Sequence, residues 1–484
     1  MKRRRQFENE NDENEDRLSD LPDNVLLYIL SFLNTKHVVQ TCVLSTRWKH
    51  LWKHIPNLRL HVSRFPTVKN FATFVSKILA LRDASTALHS LDLYRHGNIE
   101  PQLLKNISKY ICSHNTQLQE LRISVRGDSG LIMSCVSQCQ ALTTLKLSVY
   151  PRGNINSNSG ILFPISLNFP ALTNLDLTNF IFCGGENECA DPFSTFTKLN
   201  SLVIRHCIVM DSQILNISNE LLVNLALHDN SLHFAKIELS APNLRTLTLI
   251  GDIVQKTCGS CLSSIKELNI DATDLLYSEV DPLNILSWLQ DLSNLESLKV
   301  TSTTLQILSI IPNLLEVKLH SLCNLKSLEV ELKPIEYLII MKEVVLREVA
   351  AKSRKEVVEL REAFKGDHWK PSPIPDGIVD FLRHNSPSSE VNIKTGYPGC
   401  FNLKQVEESI KGAKIINYHS QFSVPSSSYT IDESAYAGAP DSNAVAPPNF
   451  DLCGVEKEVL QPSTHLTTHL ASMVSRVVSR ASVQ

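Results

Sequence analysis

At 484 residues the chain is longer than one hydrophobic core usually grows, so either several domains or an elongated repeat is expected. Its 43% hydrophobic and 20% charged content is ordinary globular usage, and with only 6% aromatic residues the core must be mostly aliphatic. A formal net charge of −3 supplies no cationic field for nucleic acid and no strong acidic bias, so partners must be recognised locally.

Residues 1–16, MKRRRQFENENDENED, place Lys2, Arg3, Arg4 and Arg5 ahead of an acidic, Asn-rich run. Such a cluster reads as a nuclear-import signal or, equally, as a solvated and disordered terminus. No apolar signal region with a cleavage site follows, and no run approaches the ~18 apolar residues that span a bilayer. The expectation is a soluble intracellular chain, nuclear and/or cytoplasmic. Its twelve cysteines, Cys42 to Cys453, are scattered and read as reduced, mostly buried small hydrophobes.

Residues 17–60 read as three short helices. Pro22 suits a first helical turn and Asp23 favours that end electrostatically. Val25, Ile29 and Phe32, with Leu26, Leu30 and Leu33, then form two adjacent apolar stripes. Thr35 is a candidate cap for a second helix running through Cys42 and Val43. Ser45 is one for a third, in which Trp48, Leu51, Trp52 and Ile55 follow three- and four-residue spacing. So small a unit is marginal alone, and its surplus apolar surface suits a partner's groove.

From 61 to 340 the pattern L-x-x-L-x-L, with Ile or Val allowed, recurs eleven times, starting at Leu88, Leu118, Leu142, Leu172, Leu199, Leu222, Leu244, Ile265, Leu295, Leu314 and Leu325. Most spacings fall near the ~20–29 residues of a leucine-rich repeat. One such strand cannot bury its own apolar face, so stacking is required, and the fold class expected is α/β: a helical N-terminal unit, then an irregular solenoid with a curved parallel sheet. Cys207 and Asn230 occupy the polar turn position of two repeats. Alternation directs Asp92, Arg122, Lys146, Asp176, Val203, Ala226, Thr248, Asn269, Lys299, Lys318 and Glu329 to the outward, concave face. Of these Arg122, Lys146, Asp176, Thr248, Asn269, Lys299 and Lys318 are candidate target-binding residues. The mixed signs suit a protein partner rather than a polyanion.

Residues 341–397 read as capping helices, a Pro-rich break at KPSPIPDG, a short helix IVDFLRHNSP and an extended EVNI. Residues 398–484 lack periodicity and read as mostly disordered. Near the end, Leu466, Leu470, Val474 and Val477 fall at helical spacing, either a docking helix or a chance pattern. CGSC, Cys258 to Cys261, is the one C-x-x-C and has no second Cys/His pair, so neither a zinc nor a redox site is expected. No phosphate-binding, dinucleotide or H-E-x-x-H motif occurs, and no catalytic residue, metal or cofactor is assigned.

The stretch LSDLPDNVLLYILSFLNTKHVVQTCVLSTRWKHLW resembles the plant F-box, with its LP, ILSFL, VLSTRW and LW elements. FPALTNLDL and PSPIPDGIVDFLRHNSPSSEVNI resemble later parts of plant F-box/leucine-rich-repeat proteins. The resemblance covers 17–396 and implies a non-catalytic substrate receptor of an SCF ubiquitin ligase. In that role the F-box binds a Skp-type adaptor, and through it a cullin-RING ligase, while the repeats recruit an unidentified protein target. Net charge and the lack of a long apolar run lead to the further expectation of no nucleic-acid or membrane partner. Carried over position by position, the adaptor-binding residues are Leu21, Pro22, Ile29, Leu30 and Leu33, then Val43, Leu44, Trp48, Leu51 and Trp52, the two tryptophans being alternatively internal core. The other reading is a repeat scaffold that binds the adaptor without directing degradation.

Overall fold

The computed structural model describes residues 21–114, 116–150, 160–164, 167–184, 189–210, 214–228, 236–251, 253, 255–258, 260–272, 282–333 and 374–395. The N-terminal charged run, the helix expected after 340, the tail beyond 397, Asn230 and the C-terminal apolar spacing lie outside the described residues. Two compact units are present, one of residues 21–60 with 80–88 and one of 61–79 with 89–395.

In the first unit, helix α1 (Asp23–Ser31) starts after Pro22, whose extended backbone precedes the first turn. Helix α2 (Thr35–Gln40) is capped by Asn34, whose side chain accepts from the Lys36 N–H at 3.0 Å, and not by Thr35. Thr35 is buried instead, and its hydroxyl accepts from the Arg59 N–H at 2.8 Å. A 3-10 turn, Thr41–Val43, continues the second helix. Helix α3 (Trp48–Leu51) starts after Arg47 with no side-chain cap, so Ser45 does not serve, and a 3-10 turn at Trp52–His54 prolongs it. Arg82 is almost fully buried and holds three carbonyls: Ile55 at 3.0 and 3.1 Å, Thr86 at 2.8 Å and Ala87 at 2.6 Å. A buried guanidinium is tolerated because its donors find acceptors.

In the second unit, which holds all but the last two residues of helix α4 (Val68–Leu81), that helix buries Phe71, Val75 and Ile78. Eleven parallel strands then pair in chain order: β1 (Ser90–Asn98), β2 (Glu120–Arg126), β3 (Thr144–Tyr150), β4 (Asn174–Thr178), β5 (Ser201–Arg205), β6 (Asn224–His228), β7 (Thr246–Gly251), β8 (Glu267–Ala272), β9 (Ser297–Thr301), β10 (Ser327–Leu332) and β11 (Glu390–Thr395). The register never slips between the central positions, so Leu91, Leu121, Leu145, Leu175, Leu202, Leu225, Leu247, Leu268, Leu298 and Leu328 form one buried row. Each such leucine contributes about 1.5–3 kcal/mol by leaving water.

The side away from the open sheet face is not uniform. Helices α5 (Pro101–Ser113) and α6 (Ser129–Val136) cover the first repeats, and α7 (Pro282–Asp291) with α8 (Ser302–Leu308) cover later ones. Between them lie two small parallel sheets, Ile208–Met210 with Phe180–Cys183 and Ile161–Leu162, and Gln255–Cys258 with Lys236–Ser240, Ile214–Ser218 and Cys189–Ala190. There the aliphatic expectation fails locally: Phe163 meets Phe180 and Phe182 edge-on at 5.7 Å, and Phe182 meets Phe193 at 5.3 Å.

Ten of the eleven motif copies supply a strand. The copy at Leu314 does not: Leu314–Glu316 is a 3-10 turn, and β9 pairs directly with β10. Only eleven positions separate Leu314 from Leu325, too few for a full turn of the solenoid, so this copy crosses on the way to the next strand. The short helix expected near 380 is α9 (Ile378–Asn385), entered through Gly377 at φ 76°, and EVNI becomes the last strand of the sheet.

The faces assigned by this register have different tolerances. Leu225→Ala lowers stability by about 2–5 kcal/mol in urea unfolding. The adjacent outward Ala226→Ser changes it by less than about 0.5 kcal/mol. Equal losses at both positions would contradict the assignment of faces.

Candidate functional site

Arg47 fixes the entry to the first helix. Its guanidinium pairs with Asp23 at 2.6 Å and also donates to the Leu21 carbonyl. Arg59 donates to the Phe32 carbonyl at 2.7 Å, which fixes the exit. With both ends tied, α1 presents a set face. Leu26, Ile29, Leu30 and Leu33 point inward and are buried, as are Trp48, Leu51 and Trp52.

Six of the ten residues expected to touch an adaptor, Ile29, Leu30, Leu33, Trp48, Leu51 and Trp52, are thus buried in the helical unit and offer little surface. Leu21 is half-buried, while Pro22, Val43 and Leu44 are exposed. The exposed apolar surface includes two residues missing from that expectation: Tyr28, 58% exposed, and Phe32, 41% exposed, whose rings meet edge-on at 4.9 Å. Val43 and Leu44 are 50% and 38% exposed. The available signal was the four-residue spacing of two aromatics across the helix from Leu26 and Leu30.

On the open face of the sheet, Asp92, Arg122, Lys146, Asp176, Val203, Ala226, Thr248, Asn269, Lys299 and Glu329 lie opposite one another in a single row, continued by Asn392. Lys318 is not in it; it is exposed beyond a 3-10 turn. Several charges of the row are ion-paired on this face. Asp176 meets Lys146 at 3.3 Å and also pairs with Arg205. Lys299 meets Glu331 at 2.7 Å and Glu329 at 3.2 Å, and Lys394 also pairs with Glu329. The Glu331 carboxylate, ahead of Glu329, pushes the Lys299 pKa up, and Lys394 foremost pushes that of Glu329 down. Between these clusters, Val203, Ala226 and Thr248 leave a neutral stretch of small side chains, flanked in the next outward row by His228 and Ile250.

Where the strands begin, one carbonyl per repeat accepts two N–H groups of the next. Thr143 receives Thr173 and Asn174, Thr173 receives Asn200 and Ser201, and Asn200 receives Val223 and Asn224, at 2.8 to 3.0 Å. Asparagine amides reinforce the stack beside this ladder: Asn219 donates to Phe196, Asn243 to Glu220 and Asn294 to Ser263. Cys207 sits buried at its expected turn and donates to the Leu177 carbonyl at 3.8 Å. The side chains of Cys258 and Cys261 lie outside the described residues. Among the described residues no group of His, Cys, Asp and Glu is placed to hold a metal, and no helix is long and apolar enough to cross a membrane.

Residues 18–60 match the F-box domain model. A putative F-box/FBD/LRR-repeat protein of Arabidopsis thaliana is 36% identical over 133 residues, 28% of this chain and 30% of that one. A second F-box/FBD/LRR-repeat protein of the same plant is 28% identical over 280 residues, 55% of this chain and 62% of its own. An Arabidopsis thaliana F-box protein is 42% identical over 148 residues, 30% and 36% of the two chains. The chain thus spans less than two thirds of the length of these relatives. It carries an F-box domain and is similar to plant F-box/leucine-rich-repeat proteins over about half its length. A crystal structure of a TLR13–ssRNA13 complex aligns over 53% of this chain and 40% of its own at 14% identity and a TM-score of 0.23, too low to bear on the fold, which rests on the sheet register.

At the strand entry, Glu296 accepts from Lys266 at 2.7 Å and Lys326 at 2.6 Å, and these bonds pull its pKa from 4.5 to about 2. A depressed carboxylate contributes stability above its unfolded value, and that contribution is lost as pH falls from about 4.5 toward 2. The Glu296 carboxyl should titrate near 2 by NMR, and the Lys266→Ala, Lys326→Ala double variant should return it toward 4.5. An ordinary titration in the parent chain would show that the pairs do not form.

Proposed function

We propose that this chain is the substrate-recognition subunit of an SCF-type ubiquitin ligase. Its F-box holds a Skp-type adaptor, and its sheet face holds the protein to be ubiquitinated. The observation that carries the reading is the pair of exposed aromatics, Tyr28 and Phe32, on a helix whose opposite face is fully committed to the core of an F-box. Exposed aromatics with an apolar rim are the usual anchors of a protein interface. Val43, Leu44 and Pro22 supply further exposed apolar surface in the same unit.

The chain's contribution to rate is proximity: holding a target and a ubiquitin-charged enzyme in one assembly makes their encounter effectively intramolecular. No side chain needs to enter the chemistry, and catalysis comes from the cullin-RING partners. The open sheet face supports a protein target over nucleic acid, because its cations are matched by carboxylates instead of forming a continuous basic stripe. Arg122, Lys146, Asp176, Thr248, Asn269 and Lys299 lie in the same row as the neutral stretch and set register, while Val203 and Ala226 offer the apolar contact. Work in such an assembly places the chain in the nucleus and/or cytoplasm.

The Tyr28→Ala, Phe32→Ala variant should weaken capture of a recombinant Skp-type adaptor by roughly 30-fold or more, as loss of an interface anchor does. In cells the same variant should let a bound target accumulate. Unchanged capture would overturn the placement of the interface. Weakened capture with no accumulating target would favour the scaffold reading.

A further inference from the structure

Three thiols converge where α5 meets α6. Cys112 lies in the last turn of α5, Cys135 in the last turn of α6, and Cys139 just beyond. The Cys112 and Cys135 Sγ atoms are 3.6 Å apart, in contact but not bonded. Cys135 and Cys139 are buried, whereas Cys112 is half-buried and reaches solvent. Hydrogen bonds hold the inner pair: Cys135 Sγ donates to the Ser108 carbonyl and Cys139 Sγ to the Cys135 carbonyl, both at 3.5 Å. Cys139 thus bonds back into its own segment, which leaves Cys135 as the sulfur facing Cys112.

We infer that Cys112 and Cys135 form a redox modification site, at which a peroxide converts the pair into a disulfide that clamps α5 to α6. The inference is independent of the ligase reading. Three features carry it. The remaining approach, from 3.6 Å to the ~2.05 Å of a disulfide, is about 1.5 Å. Both residues sit in terminal turns, where helix backbone adjusts most readily. Access is asymmetric, as a two-step oxidation requires: one sulfur meets the oxidant and the other waits behind it.

The chemistry balances with hydrogen peroxide as the oxidant. The Cys112 thiolate attacks one peroxide oxygen, the O–O bond breaks, and the leaving hydroxide takes up the proton released by Cys112 as water. The sulfenic acid so formed at Cys112 is attacked by the Cys135 sulfur; the S–S bond forms, the S–O bond breaks, and a second water leaves with the Cys135 proton. Two thiols have given up two electrons and one peroxide has become two waters. Burial, ahead of the neighbouring Cys112, pushes the Cys135 thiol well above its ordinary pKa, and burial likewise pushes Cys139 up to about 12. Both inner sulfurs are therefore protonated at neutral pH and poor first targets of the oxidant, which directs the first step to Cys112.

The test is peroxide treatment of the purified full chain, alkylation of remaining thiols and mass spectrometry of unreduced peptides. The expected result is a cross-linked pair of peptides holding Cys112 and Cys135, lighter by two hydrogens and separated by dithiothreitol. The bridge should lose its dominance when the oxidation is run in urea, because folding is what sets the pair together. In Cys135→Ala, dimedone should capture a sulfenic acid on Cys112, and Cys139→Ser should leave the bridge unchanged. A native chain whose Cys112 and Cys135 both remain alkylatable, or a Cys112–Cys139 bridge in their place, would overturn the proposal.

Discussion

The structure of the large unit depends on one backbone interaction repeated along the chain: at the entries of β1 through β9 a single carbonyl accepts two N–H groups from the repeat that follows. A carbonyl oxygen has two lone pairs, and this geometry uses both. Because each repeat must place the same residue at that carbonyl, the strands stay in register, and ten leucines fall into one buried row. A shift of one residue would turn that entire row toward solvent, so the burial of the row and the hydrogen-bond ladder enforce the same pairing.

Register in turn writes the open face. Residues that lie apart in sequence become neighbours at strand spacing, which is how Asp176 gains Lys146 from one repeat and Arg205 from another, and Lys299 gains Glu329 and Glu331. Pairs of this kind on a half-exposed face contribute little stability each. Their consequence is a face on which several cations are matched by carboxylates of neighbouring strands, with a neutral stretch at Val203, Ala226 and Thr248 between the paired clusters. The helical unit reaches its surface by a different route. Its small core consumes one side of α1, arginines hold both ends of that helix, and the aromatics on the other side are left exposed.

Much of this was legible in the sequence because the physical signal repeats. The L-x-x-L-x-L period announced the sheet, and alternation put Asp92 through Glu329 on one face. Lys318 failed because its motif copy is locally sound but arrives half a repeat early, an error that spacing exposes and pattern alone hides. In the F-box the difficulty was of another kind. Six successive apolar positions within about three turns give a helix two apolar stripes, and periodicity does not say which stripe the core takes. Phe32 and Tyr28 are exposed, whereas Leu30 and Leu33, matched to a contact face by resemblance, are interior. Adjacent candidate caps were ambiguous in the same way: Asn34 caps and Thr35 is buried to bind Arg59. The phenylalanine cluster of Phe163, Phe180, Phe182 and Phe193 is not legible in the sequence because its members come from three separate segments.

Hydrogen–deuterium exchange of the full chain, alone and with a Skp-type adaptor, tests most directly whether the chain carries two separate surfaces. The adaptor should add protection over 22–32 and 41–45 and leave the strands between 201 and 250 unchanged. Protection appearing on those strands while the first helix stays unaltered would contradict the account.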